Sequence, residues 1–120
     1  MSRTIIAVVD DLFFASKIKG TAEQVGVVVS FPRSAREVLE AARQDSPTLI
    51  VCDLNSQRID PLALAKELKS DAHLAHISLL GFFSHVQTEL QQQAQQAGFD
   101  RVMPRSAFAK LLPQILSGEE

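Results

Sequence analysis

Five short apolar runs, each followed by residues at helical spacing, divide this 120-residue chain and restrict its fold more than any other feature. The runs are Ile5 to Val9, Val27 to Phe31, Thr48 to Asp53, Ile77 to Phe83 and Arg101 to Met103. The first and third are β-branched and end in charge, Asp10-Asp11 and Asp53. A strand reads this way when both of its faces are buried and its C-terminal end reaches solvent. Strands that alternate strictly with helices run parallel, because each helix returns the chain to the start of the next strand. The expected fold class is α/β, with helices on both faces of a parallel sheet.

The helical stretches carry their own boundary signals. Phe14, Ile18, Ala22 and Val25 repeat at helical spacing up to Gly26. Ser34-Ala35-Arg36-Glu37 matches a capping box ahead of Val38, Leu39 and Ala42, and Asp45-Ser46-Pro47 ends that helix. Asp60-Pro61 starts the third helix, whose buried stripe is Leu64, Ala65 and Leu68. The fourth is expected from His85 to Ala97, with Val86, Leu90 and Ala94 on a narrow inner face. Ser106 is read as the cap of the last helix, which holds Phe108, Leu111, Leu112 and Ile115 and should kink at Pro113. No low-complexity linker or internal repeat interrupts the chain, so residues 1–120 are read as one domain.

Composition narrows the function classes. A formal net charge of −2 with no basic stripe argues against a nucleic-acid surface. Met1-Ser2-Arg3-Thr4 leads directly into a run of about six apolar residues, too short for a signal-peptide core or a membrane span. The single cysteine, Cys52, excludes an internal disulfide and fits a reducing compartment. A soluble, cytoplasmic domain is expected.

In a doubly wound sheet a ligand sits beyond the carboxyl ends of the strands, where strand order reverses. For five strands in the order 2-1-3-4-5 that point lies between the first and third strands, which end in Asp10-Asp11 and Asp53. Carboxylates so close repel one another. Their juxtaposition points to a bound cation, a shared proton or a nucleophile.

The Asp10-Asp11 pair, Asp53 ending the third strand, Asn55 just after it, Ala97-Gly98-Phe99-Asp100 before the fifth strand and the full-length alternation together resemble the receiver domain of bacterial two-component response regulators. The resemblance implies a flavodoxin-like (βα)5 three-layer sandwich with strand order 2-1-3-4-5. It implies that Asp53 accepts a phosphoryl group from a histidine kinase, a phosphotransfer protein or a small phosphodonor. Asp11, Asp53 and the Asn55 backbone carbonyl would bind Mg²⁺, with Asp10 acting through water. Arg105 would contact the phosphoryl group. The fourth helix, fifth strand and fifth helix would form the surface for an output domain or partner, with Val102, Arg105, Phe108 and Lys110 on or near it. No enzymatic activity is implied.

The chain departs from the family at the parts that report phosphorylation. An ungapped alignment puts Phe83 where the family has Thr or Ser, Arg105 where it has Lys, Val102 at the switch aromatic and Gln57 at a usual proline. Phe83 cannot make the hydrogen bond to the phosphoryl group, and Arg105 offers a planar fork in place of a compact ammonium. Two alternatives follow: a phosphorylation-independent pseudo-receiver that binds partners, and a haloacid-dehalogenase-type phosphatase. The latter needs a second aspartate two residues after the nucleophile, where this chain has Asn55. His73 and His76 are read as solvated loop residues and Cys52 as a small buried hydrophobe.

Overall fold

A computed structural model describes residues 3–84 and 87–118. The expected start of the fourth helix at His85, and Val86 on its inner face, lie outside the described residues. In chain order the strands are β1 (Thr4–Val8), β2 (Val28–Ser30), β3 (Leu49–Asp53), β4 (Ser78–Phe83) and β5 (Arg101–Pro104). The helices are α1 (Leu12–Val25), α2 (Ala35–Asp45), α3 (Pro61–Ser70), α4 (Thr88–Ala97), α5 (Arg105–Lys110) and α6 (Leu112–Ser117). All strands are parallel, as the alternation predicts, and they lie in the order β2-β1-β3-β4-β5 that the resemblance implies.

Alternating side chains sort the strands between two cores. Ile5 and Ala7 of β1, Leu49 and Val51 of β3, and Leu80 and Phe82 of β4 pack with Phe14, Ile18, Phe108 and Leu112. Ile6, Val8, Ile50, Cys52, Leu79 and Phe83 pack on the other face with Val38, Leu64, Leu68 and Ala94. Every β3 residue is buried, which is why Leu49 to Cys52 is an unbroken apolar run and not an alternating one. Gly81 has no side chain where Leu54 crosses β4; a Cβ there would lie 2.8 Å from Leu54 Cδ2. The close crossing seats the segment immediately after Asp53.

Local chemistry sets most helix boundaries. Asp11 caps α1 by accepting the Phe13 and Phe14 amides, and Gly26 ends it in the left-handed conformation at φ 77°. Ser34 accepts the Glu37 amide, while the Glu37 carboxylate takes the Arg33 amide, one residue outside the expected reciprocal pair. Asp60 caps α3 through the Leu62 and Ala63 amides, with Pro61 in the first turn.

The last helix differs from expectation. It begins at Arg105 after Pro104, so Ser106 lies inside the first turn and is not its cap. It breaks at Leu111 instead of kinking, because Pro113 brings no amide and its ring crowds the preceding turn. Phe108 is fully buried in the core and does not belong to the outer partner surface. Val102 is half-buried and Lys110 exposed. No described helix is long and apolar enough to cross a membrane.

Candidate functional site

Parallel pairing of β1 with β3, Val8 beside Cys52, brings Asp10 and Asp11 to the end of the sheet where Asp53 terminates β3. The β3–β4 and β4–β5 ladders run in continuous register to Asp53 opposite Phe82 and Phe83 opposite Pro104. Phe83 is the last residue of β4, and Ser84 lies beyond it. Arg105, the residue after β5, therefore arrives at the same edge. The expected gathering of Asp10, Asp11, Asp53, Asn55 and Arg105 is present.

Asp53 is 8% exposed and is the buried charged residue among those described. Its Oδ1 accepts the Asn55 amide at 2.8 Å, and no described donor reaches Oδ2. Burial pushes its pKa up, and the charges of Asp10 and Asp11 add to this against the opposing Asn55 bond and Arg105 charge. The neighbouring Cys52 thiol is pushed up to about 12 by burial and by Asp53.

The acidic pair is engaged differently from Asp53. Asp10 Oδ1 accepts the Ser56 hydroxyl at 2.9 Å, and Oδ2 accepts the Gln57 amide at 2.9 Å and the Arg58 amide at 3.3 Å. Burial raises the Asp10 pKa, but these bonds and the Arg58 charge outweigh it and leave the carboxyl below its ordinary range. Asp11 uses Oδ1 as the α1 cap and Oδ2 to pair with Arg105 at 2.9 Å. The Arg105 bond, followed by the Phe14 amide, lowers its pKa.

Arg105 also lies over the Phe14 ring, its guanidinium carbon 4.2 Å from the centroid. Phe14 packs edge-on against Phe82 at 5.3 Å, and Phe82 stacks on Phe108 at 4.7 Å. Phe83 points to the opposite face and is buried. The Asn55 side chain ties two loops together: Oδ1 accepts the Ser84 amide at 3.0 Å and Nδ2 donates to Gln87 Oε1 at 3.2 Å.

Local sequence patterns do not reveal the Asp10 donors, the Phe14 shelf or the Asn55–Gln87 bond. The polar run Asn55-Ser56-Gln57-Arg58 after a strand-ending carboxylate is the only hint of a loop built around the acidic pair. His73 and His76 are both exposed. Among the described residues, no three His, Cys, Asp or Glu side chains converge as a metal-holding set.

No protein-family model matches the chain. It is 26% identical over 98 residues to the polar-differentiation response regulator DivK of Brucella ovis, covering 82% of this chain and 80% of that protein. DivK of Brucella melitensis matches to the same extent. Among solved structures, the phosphorylated cyanobacterial phytochrome response regulator RcpA superposes with a TM-score of 0.80 at 22% identity, covering 100% of this chain and 92% of that one. CheY4, a chemotaxis response regulator of Vibrio cholerae, gives 0.83 at 17% identity over 98% of each chain. A putative response regulator from Chloroflexus aurantiacus gives 0.85 at 18% identity, over 98% and 97%. These structures share the fold.

Proposed function

We propose that this chain acts as a response regulator receiver domain of two-component signalling and that Asp53 is its phosphoacceptor. The observation that carries the reading is a buried carboxylate ending the central strand at the sheet's switch point, with one oxygen free of described donors. Asp53 attacks phosphorus in line. The bond from phosphorus to the donor breaks, and its electron pair leaves with the histidine nitrogen of a kinase or phosphotransfer protein, or with the acyl oxygen of a small phosphodonor. The Asn55 amide holds the other Asp53 oxygen, fixing the side chain's direction. Arg105, whose charge already acts on Asp53, meets the phosphoryl oxygens.

Magnesium would offset the local negative charge and supply Lewis-acid polarisation to the incoming phosphoryl group. The hard carboxylate oxygens suit it in kind: Asp11, Asp53 and the Asn55 carbonyl would hold it, with Asp10 acting through water. The domain works in the cytoplasm as a signalling module and not as an enzyme; a phosphatase assay with magnesium is expected to give no turnover. Its output domain or partner reads the α4–β5–α5 surface, including Val102 and Lys110.

Incubation with a small phosphodonor and magnesium, followed by intact-mass measurement, tests the reading. Wild type should gain one phosphoryl group and Asp53→Asn none. No adduct on wild type removes the phosphoacceptor role. Buried Phe83 favours a second reading, in which partner binding is constitutive. Equal partner affinity of wild type and Asp53→Asn under phosphorylating conditions would select it.

A further inference from the structure

Arg105 is held from two sides. Its Nη2 donates to Asp11 Oδ2 at 2.9 Å, and its Cζ lies over the Phe14 ring. A planar guanidinium can satisfy a carboxylate and lie on an aromatic ring at once, which an ammonium does poorly. Phe14 is itself fixed by Phe82 and Phe108, so the shelf under Arg105 is part of the core. Meanwhile each Asp10 and Asp11 oxygen already has a protein donor. Arg105 pairs with Asp11 and its charge acts on Asp53, so it offsets part of the trio's negative charge.

We propose that Arg105 is the resident counter-cation of this pocket, and that Arg105 and a divalent metal ion are alternatives at Asp11 Oδ2. The inference rests on the proposed receiver pocket only in taking magnesium as the ion. Magnesium binding then requires Arg105 to leave both Asp11 and the Phe14 shelf. A half-exposed ion pair and a partly exposed cation–π contact together set the resulting penalty at about tenfold in Kd.

The experiment is a magnesium titration of the unphosphorylated chain, followed by calorimetry and by two-dimensional NMR. Arg105→Gln should bind magnesium about tenfold more tightly than wild type. Phe14→Leu removes the shelf but no charge, and should bind about threefold more tightly. Arg58→Gln removes a positive charge acting on Asp10 without touching Asp11, and should change affinity by less than about twofold. In wild type the Arg105 Nε–H resonance, shifted by the Phe14 ring, should move toward its free-chain position as magnesium is added.

Unchanged or weaker binding by Arg105→Gln overturns the proposal. So does an equal gain in Arg58→Gln, which would make the effect one of general charge, or absence of magnesium binding in all of these proteins. If Phe14→Leu does not fold, Arg105→Lys replaces it: charge is kept, the planar guanidinium over Phe14 is lost, and affinity should fall between wild type and Arg105→Gln. Failure of the phosphoacceptor reading appears separately, as absence of a phosphoryl adduct with the magnesium competition intact.

Discussion

Phe83→Thr restores the family's hydroxyl at the end of β4 and sets two opposing energies against each other. Phe83 is 4% exposed and packs in the core under α3 and α4. Removing a buried phenylalanine side chain down to alanine costs about 3–5 kcal/mol. The threonine methyl recovers about 0.8 kcal/mol, and its hydroxyl gives back about 1–3 kcal/mol when buried without a partner. The unphosphorylated variant should therefore lose about 5 kcal/mol. Phosphorylation supplies the missing partner, because a hydrogen bond to a charged group contributes about 1.5–3 kcal/mol. The variant should thus be stabilised by phosphorylation more than wild type is, by that amount. The chain has no Trp or Tyr, so urea unfolding is followed by circular dichroism. With a slope of about 2 kcal/mol per molar, the unphosphorylated midpoint should drop by about 2.5 M. A drop worth less than about 1 kcal/mol would refute the packing argument. Equal phosphorylation-induced stabilisation in both proteins would refute the view that Phe83 displaces a phosphoryl-sensing hydroxyl.

Asp53→Asn should raise the melting temperature at pH 7. The folded-state Asp53 pKa lies above its unfolded value, so the native state holds that proton longer. Ionisation of Asp53 therefore costs stability at neutral pH, and the variant's advantage should shrink as pH falls through that raised pKa; no advantage at pH 7 refutes the assignment. Lys69 Nζ donates to the Ala75 and Ile77 carbonyls, both at 3.1 Å, and pairs with Asp100 at 3.3 Å. Lys69→Met should lower unfolding free energy by about 2 kcal/mol, measured by chemical denaturation. The Cys52 thiol, pushed up to about 12 by burial, should resist a thiol reagent in the native protein and react only on unfolding.

The sheet was legible in the sequence because two-sided burial leaves an apolar run and a charged end, as in β3. Helix starts at Ser34 and Asp60 were legible because a short polar side chain can answer free amides locally. The same reasoning failed at Ser106, where the capping residue type stands one position inside the helix. Phe108 was assigned to a partner surface, yet it shares a helical side with Leu112 and Ile115, and that side faces the core. The Arg105–Asp11 pair joins residues 94 positions apart, and the Asp10–Gln57 bond joins residues 47 apart. Periodicity carries no record of such contacts; only the sheet register brings them together.

Phe82 and Phe83 are joined by one peptide bond, yet they enter cores on opposite faces of the sheet. Phe82 touches the aromatic support of Arg105, and Phe83 lies among residues packed with α4. The dipeptide is therefore a pair of independent reporters. With fluorinated phenylalanine, a change in the cation at Asp11 should register at position 82, and a change in α4 packing at position 83. Two separable signals would mean that this pocket addresses the two halves of the domain through different channels.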